Sequence, residues 1–330
     1  MIRTWLRGQV IEVGRRLSTT PAPVLAGQDW VQADPDRIAG LLARSQALPS
    51  GGWYVVDAVR QLATQPKAYR IAGRDLVFWR DGDGKTHAAP DACPHMGASL
   101  ADGHVERGKL VCPWHALALD HRGFRDWQCL PVHDDGVLFW VQLRAGADKT
   151  AAPIIAPRPA RFIDGTIRVE GHCAPEDIIA NRLDPWHGAH FHPYAFADLT
   201  VVGLKDDVLS LRVSYKVGGP LRVTVDATFH TPDPRTIVMT ITDGDGAGSV
   251  VETHATPIDP GRTAVIETTL ATSDRSGFSV AHRGARVLRP LIRAAARRLW
   301  VDDIAYAERL YALRQRSVQV DGKPAVARVV

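Results

Sequence analysis

The chain has 330 residues, of which 45% are hydrophobic and 23% charged, and its 40 Lys and Arg against 36 Asp and Glu give a formal charge of +4. That balance is ordinary for a soluble globular protein, and no run of about eighteen apolar residues exists, which excludes a spanning helix. Four cysteines in a chain of this length do not make a disulfide scaffold, so a reducing, cytoplasmic compartment is expected.

The length leaves room for two domains with a short extension. Residues 1–17 are predicted to form an amphipathic helix, with Ile2, Trp5, Leu6, Val10, Val13 and Leu17 on one side, weakened by Gly8 and Gly14. It has no apolar signal core, so secretion is not expected; packing on the body or on a neighbouring subunit is. The link "STTPAPVLAG" leads to a second predicted helix in "DPDRIAGLLARSQAL", and residues 1–49 together read as an N-terminal helical extension.

From "GGWYVVDAVRQL" the texture changes to short β segments. The stretch "YRIAGRDLVFWRDGDGKTHAA" reads as two strands joined at "DGDG", a hairpin signature, and "GVLFWVQL" (136–143) closes the region. Residues 50–145 are therefore expected to form a small all-β domain, with "RAGADKTAAPIIAPRPA" as a linker to a second domain over 160–330. There the strands lengthen and alternate strictly. Leu209, Leu211, Val213, Tyr215 and Val217 share a face opposite Ser210, Arg212, Ser214 and Lys216. Such alternation marks a half-buried antiparallel sheet.

Helical sequence over 174–192 precedes this sheet, and more follows over about 276–316. The expected class is α+β, with a twisted antiparallel sheet wrapped around a long C-terminal helix and a cavity between them. The run 283–300 carries six arginines and no acid, with Arg286, Arg289, Arg293 and Arg297 at helical spacing. It reads as a solvated basic side, a contact for anionic lipid, or a dock for an acidic redox partner. Nucleic-acid binding is not expected, because no aromatic-interleaved basic motif accompanies the arginines.

The chemistry concentrates in "CPHMGASLADGHVERGKLVCPWH" (93–115). Cys93-x-His95 is followed, after sixteen residues, by Cys112-x-x-His115, with a proline after each cysteine. A structural zinc, a cluster of two irons, and four ordinary core residues all compete for this pattern. Zinc sites usually group like ligands, whereas here each loop supplies one Cys and one His. That arrangement suits two metal ions, each taking one kind of ligand from both loops, as in a 2Fe–2S centre with two histidines on one iron. Pro94 and Pro113, stiffening both loops at equivalent places, count against the core reading.

The stretch resembles a Rieske cluster domain, from "GGWYVV" through "LVFWRDGDGKTHAAPDACPHMGASLADGHVERGKLVCPWHALALDHRG". The resemblance implies Cys93 and Cys112 on one iron, and His95 and His115 on the other. It also departs from respiratory Rieske proteins. Ala98 and Trp114 stand where those proteins carry two further cysteines, and "ALALD" offers no hydroxyl to the sulfurs. Fewer donors to sulfur imply a potential at the low end of the Rieske range. Cys129 and Cys173 lie outside the pattern and read as small core residues.

In the second domain, "NRLDPWHGAHFH" (181–192) resembles the Asn-x-x-Asp-x-x-His-x-x-x-x-His run of Rieske non-haem iron oxygenases, especially monooxygenases and demethylases. The second domain is then similar to a helix-grip (START-like) catalytic domain. The resemblance implies Fe(II) held by His187, His192 and an aspartate near the C-terminus. In "DDIAYAERL" that aspartate is Asp303, followed by Glu308, in preference to Asp302. His190 competes as a ligand, and Asp184 is expected to cap a helix starting at Pro185. The resemblance makes Asp184 an electron-transfer bridge from His115 of a neighbouring subunit to His187, within a homotrimer.

The implied protein is an oxygenase component, a monooxygenase or dioxygenase, carrying a 2Fe–2S cluster and Fe(II). Its electrons come from a separate ferredoxin or flavin-dependent NAD(P)H reductase, since nothing in the chain resembles a flavin or nicotinamide site. The second reading is a Rieske electron carrier fused to a ligand-binding helix-grip domain without iron. The inward rows Leu209, Val213, Phe229, Ile237 and Met239 are apolar, and no arginine stands ready for a carboxylate, so an isoprenoid, steroid or carotenoid-like substrate is expected. A basic amphipathic surface would receive such a molecule at the periphery of a membrane.

Overall fold

A computed structural model describes residues 11–12, 30–143, 149–218 and 221–321. Two-residue turns set much of its architecture. At Ala72-Gly73, Arg107-Gly108 and Asp206-Asp207 both residues have positive φ, the geometry that matches the twist of paired strands. The first joins Lys67–Ile71 to Arg74–Arg80, which pairs in turn with Thr86–Pro90. The expected "DGDG" turn closes that second pair, with Asp81 Oδ1 accepting from the N–H groups of Asp83 (3.0 Å) and Lys85 (2.9 Å). A second three-stranded sheet joins Trp53–Ala58, Leu138–Gln142 and Val132–Asp134. A third, from His104–Glu106, Lys109–Val111 and Ala118–Leu119, carries the two Cys-Pro loops at its edge.

The remaining strands form one antiparallel sheet, in the order 163–171, 262–271, 250–259, 236–244, 221–233, 208–218 and 196–205. Leu209, Leu211 and Val213 are buried on one face, as their alternation predicts. The long helix Ala285–Asp321 crosses that face and buries Ala296, Trp300, Asp303, Ile304 and Ala307 at helical spacing. Two glycines allow the approach. A Cβ at Gly165 would lie 2.4 Å from Ile292, and one at Gly171 would lie 2.8 Å from Ile304.

Several expectations need correction. Ile11 and Glu12 pair as a parallel strand with Leu221 and Arg222 rather than continuing a helix; the rest of the 1–17 helix lies outside the described residues. The second N-terminal helix forms over Pro35–Gln46, with Asp34 Oδ1 accepting from Arg37 N at 2.9 Å. It is not a separate extension, because Ile38 and Leu41 enter the core of the large sheet. The helix expected over 174–192 is two helices, Pro175–Leu183 and His187–Phe191. Pro185 disfavours helical geometry at Asp184, which ends the first helix instead of capping the second.

The described part of the linker, from residue 149, is packed against both domains. Ile155, Ala156 and Phe162 lie on a core made jointly by Trp53, Val55, Leu138 and Trp140 of the small domain and Val238, Ile258, Ile266 and Leu270 of the large sheet. Arg158 reaches Glu252 through two 2.6 Å hydrogen bonds and Asp135 at 3.0 Å, tying linker, sheet and small domain together. Burial opposes ionisation of Glu252, but Arg158 and His254 overcome it and hold its carboxyl down to about 2.

Arg158→Met leaves two buried carboxylates without a counter-charge and is expected to cost ~3–5 kcal/mol, read as a lower urea midpoint. The folded pKa of Glu252 lies below the ordinary value of about 4.3. Its stabilisation is therefore present above that pH and lost as pH falls towards 2. The wild-type midpoint should decline across this window, more steeply than that of R158M; equal slopes would contradict the assignment.

Candidate metal centres

Cys93 and Cys112 start two loops with one hydrogen-bond plan. The Cys93 N–H donates to the Ala98 carbonyl at 2.8 Å, and its carbonyl accepts from Gly97 N at 2.8 Å. The Cys112 N–H donates to the Leu117 carbonyl at 3.0 Å, and its carbonyl accepts from Ala116 N at 3.1 Å. Gly97 (φ 79) and Ala116 (φ 55) turn each loop through the left-handed region, a conformation that in a non-glycine residue marks a functional constraint.

The loops bury both thiols and expose both imidazoles, whose ring centroids lie 4.7 Å apart. Burial works against ionisation at each sulfur. At Cys93 it prevails and raises the pKa; at Cys112 the N–H groups of Trp114 and His115, with the Cys93 thiol, outweigh it and lower the pKa. The N–H groups of His95 and Met96 point at the Cys93 sulfur in the same way. Backbone donors thus supply hydrogen bonds that a count of side-chain hydroxyls missed. A buried thiol pair with its own donors, beside an exposed imidazole pair, fits a cluster with sulfur ligands inward and nitrogen ligands outward. Trp114, 61% exposed, and Met96 flank the imidazoles. Cys129 and Cys173 stay apart as core thiols, pushed by burial to about 11 and about 12.

The second centre forms across the helix break. Asp303 Oδ1, on the long helix, lies 3.1 Å from His187 Nε2, 2.9 Å from His192 Nε2 and 3.2 Å from Asn181 Nδ2. Partners fix the tautomers. His187 Nδ1–H donates to the Asp184 carbonyl, and His192 Nδ1–H donates to the Tyr194 hydroxyl at 3.3 Å, which itself donates to Asp302 at 2.6 Å. Both Nε2 atoms face one carboxylate oxygen, an arrangement that either a proton on the imidazoles or a shared metal cation makes attractive. Burial opposes ionisation of Asp303, yet the hydrogen bonds to His187 and His192 hold it well below the usual carboxylate range. Two imidazoles and one carboxylate on one side are the donor set of a non-haem Fe(II) site with open positions.

Among the described residues, His187, His192 and Asp303 are the one group of three whose ligand atoms all lie within 4.8 Å of one another. Asp302 stands behind His192, and His190 is exposed with its ring 4.7 Å from Trp186. Asp184 is half-buried; its pKa is raised by desolvation, and one oxygen, Oδ1, has no partner among the described residues. Tyr306 bonds the Asp184 carboxyl and stacks on His187 at 5.5 Å. Among the described residues no hydrogen bond, ion pair or ring contact joins Asp184 to the Cys93–His115 group.

His187, His192 and Asp303 line a cavity of about 450 Å³ between sheet and helix. Of the five inward residues expected from sequence, Val213, Phe229 and Met239 line it, while Leu209 and Ile237 are buried in the same core beside it. Sequence reasoning missed Asn181, although it stood in the quoted run, and missed Arg182, Tyr215 and Glu267 in the cavity wall. The signal for Glu267 was available, as one charge on the inward row Val265, Glu267, Thr269, Ala271. Of the arginine stripe, Arg289 is taken up by Asp164 at 2.8 Å, whereas Arg286, Arg293 and Arg297 are exposed. No helix of the described residues is long and apolar enough to cross a membrane.

A small β domain with two Cys-Pro loops thus stands in front of a sheet that wraps a helix and presents two histidines and a carboxylate. The model of the Rieske [2Fe-2S] domain matches residues 52–133. The chain belongs to the family described as Domain of unknown function (DUF5914), whose model matches residues 144–318.

Among curated relatives, the oxygenase component of dicamba O-demethylase from Stenotrophomonas maltophilia is 28% identical over 163 residues, 42% of this chain and 46% of that protein. The oxygenase component of 3-ketosteroid-9-alpha-monooxygenase from Rhodococcus rhodochrous is 27% identical, over 43% of each chain. The vanillate O-demethylase oxygenase subunit of Pseudomonas sp. (strain HR199 / DSM 7063) is 37% identical over 23% of this chain and 21% of its own. The chain thus spans less than half the length of these relatives. A crystal structure of dicamba monooxygenase bound to dicamba superposes with a TM-score of 0.60 at 19% identity, covering 84% of this chain and 92% of that one, which establishes the shared fold.

Replacing Cys93 or Cys112 by serine, or His95 or His115 by alanine, is expected to abolish the visible absorption of the cluster. Cys129→Ser and Cys173→Ser should leave it intact. Loss of colour in either of the latter would show that the wrong thiols were chosen.

Proposed function

We propose that this protein is the oxygenase component of a multi-protein system that oxidises an apolar organic substrate with dioxygen. Cys93, Cys112, His95 and His115 would hold the 2Fe–2S cluster, and His187, His192 and Asp303 the mononuclear Fe(II). When bound, these centres supply single electrons and a site at which dioxygen is reduced against a substrate C–H bond. The observation that carries the reading is the convergence of two imidazole Nε2 atoms and a buried carboxylate at a mainly apolar cavity, in a chain that also bears a Rieske domain.

The surrounding residues each have a task in this scheme. The Asp184 carbonyl and Tyr194 hold the two imidazoles with Nε2 turned to the metal, and Asn181 steadies Asp303 from the side. The apolar walls exclude water and leave few polar anchors for a ligand. The resemblance of the Asp184 run supports a head-to-tail homotrimer, in which the half-buried Asp184 carboxyl would bridge His187 to His115 of a neighbouring subunit. Exposed Trp114 and Met96 suit contact with that neighbour or with the separate ferredoxin or flavin-dependent reductase. The compartment is reducing and cytoplasmic. Exposed Val287 and Leu291, next to cavity-lining Ile292 and Ala295 and among exposed arginines, suit peripheral contact with an anionic membrane that delivers the substrate.

Iron content tests the reading against that of a Rieske carrier with an iron-free binding domain. The wild type should contain three irons per chain. His187→Ala, His192→Ala and Asp303→Ala should each lose one iron and all substrate oxidation while keeping the cluster spectrum, whereas Asp302→Ala should retain the third iron. Full iron in the histidine variants would overturn the catalytic assignment.

A further inference from the structure

The cavity wall contains donors that the metal site does not use. Its lining is mainly apolar, with Leu199, Val213, Phe229, Met239, Ile292 and Leu299 among its members. Arg182 opens onto this surface with its side chain only 18% exposed. Its guanidinium lies over the rings of Phe229, 5.3 Å to the centroid, and Trp300, 5.9 Å. A terminal nitrogen stands 3.8 Å from Glu267 Oε2, an ion pair too long for a hydrogen bond. Among the described residues no acceptor lies within hydrogen-bond distance of the Arg182 terminal N–H groups, while its Nε–H is enclosed by protein. Glu267 is already engaged, since Oε2 accepts from Trp300 Nε1 at 2.7 Å and from Thr253 Oγ1 at 3.1 Å.

A second donor lines the same cavity. The Tyr215 hydroxyl has the Met239 thioether, at 3.8 Å, as its partner, and sulfur of that kind accepts only weakly. Tyr215 is half-buried, within electrostatic reach of both Arg182 and Glu267. Burying such donors without an acceptor is costly, and native proteins keep them where something else completes the bond. A hydrocarbon filling this cavity would shut both donors away from water and pair neither. An oxygen acceptor on the ligand would pair them. A carboxylate is the poorer candidate, because Glu267 already occupies the anionic position beside Arg182.

We propose that Arg182 and Tyr215 form a specificity site, and that the substrate is a largely hydrocarbon molecule bearing an uncharged carbonyl whose oxygen accepts from a terminal N–H of the Arg182 guanidinium, with the Tyr215 hydroxyl as second donor. The proposal deepens the functional reading above and rests on its assignment of this cavity as the substrate site. It also revises the expectation of a purely apolar ligand. Once the carbonyl is fixed at Arg182, the rigid skeleton decides which C–H bond is presented at the His187–His192–Asp303 end.

Binding by the purified holoprotein tests this without turnover. The probes are 2-tetralone, tetralin and tetralin-2-carboxylate, which share one skeleton, measured by equilibrium dialysis with iron content and cluster absorption recorded on each sample. The wild type is expected to bind the ketone at least tenfold more tightly than the hydrocarbon, and more tightly than the carboxylate. Arg182→Met should bring the ketone-to-hydrocarbon ratio within about threefold, and Tyr215→Phe should reduce it by a smaller factor, with tetralin affinity unchanged. A wild type that does not discriminate, a preference for the carboxylate, or an undiminished ratio in R182M would overturn the proposal.

Should R182M lose its cluster absorption or its tetralin binding, Y215F carries the test alone, and an undiminished ratio there overturns the claim. A protein that discriminates the ketone but lacks the third iron would refute the oxygenase reading and leave the specificity site standing.

Discussion

The break in the chain at Asp184-Pro185-Trp186 is the constraint on which the second domain's chemistry depends. Had the helix starting at Pro175 run on unbroken, His187 and His192, five residues apart, would have pointed in directions some 140° apart around one axis. The first helix ends at Leu183, and the second, starting at His187, ends before His192, whose non-helical backbone lets both rings turn towards the same aspartate on a different helix. The break also frees the Asp184 carbonyl, which a continuous helix would have spent internally, to fix the His187 tautomer. One proline thus sets ligand direction and ligand protonation together.

The same logic governs the small domain. Its two Cys-Pro loops repeat one hydrogen-bond plan, each passing through a left-handed residue four positions after its cysteine. That symmetry places like atoms opposite like atoms, sulfur by sulfur and ring by ring, from loops nearly twenty residues apart in sequence. The two domains share an apolar core, and Arg158 in the connecting segment bonds to a carboxylate on either side.

The cavity shows how a mainly apolar enclosure still acquires direction. Dispersion against Phe229, Met239 and Leu299 would hold any lipophile of suitable volume. Orientation needs polar contacts, and these lie at the metal end, at its rim, and around Arg182, Tyr215 and Glu267. The aromatic rings that flank Arg182 lower the cost of keeping a guanidinium there, and Glu267 offsets its charge.

What the sequence alone determined was local chemistry. The four cluster residues, the pair His187 and His192, the choice of Asp303, the alternating strands and the "DGDG" turn were legible because each depends on spacing along a few residues or on a run resembling a known family. Tertiary structure decided the rest. Pro185 was read as starting a helix capped by Asp184, whereas Asp184 ends the first helix and the second starts at His187. Backbone donors to the sulfurs were invisible because they carry no side-chain signature. Arg182, Tyr215 and Glu267 come from a helix and two strands separated by dozens of residues, and only the closing of the sheet around the long helix brings them to one cavity. Packing of distant segments leaves no periodicity to read, and so the fold, not the sequence pattern, settled what that cavity can recognise.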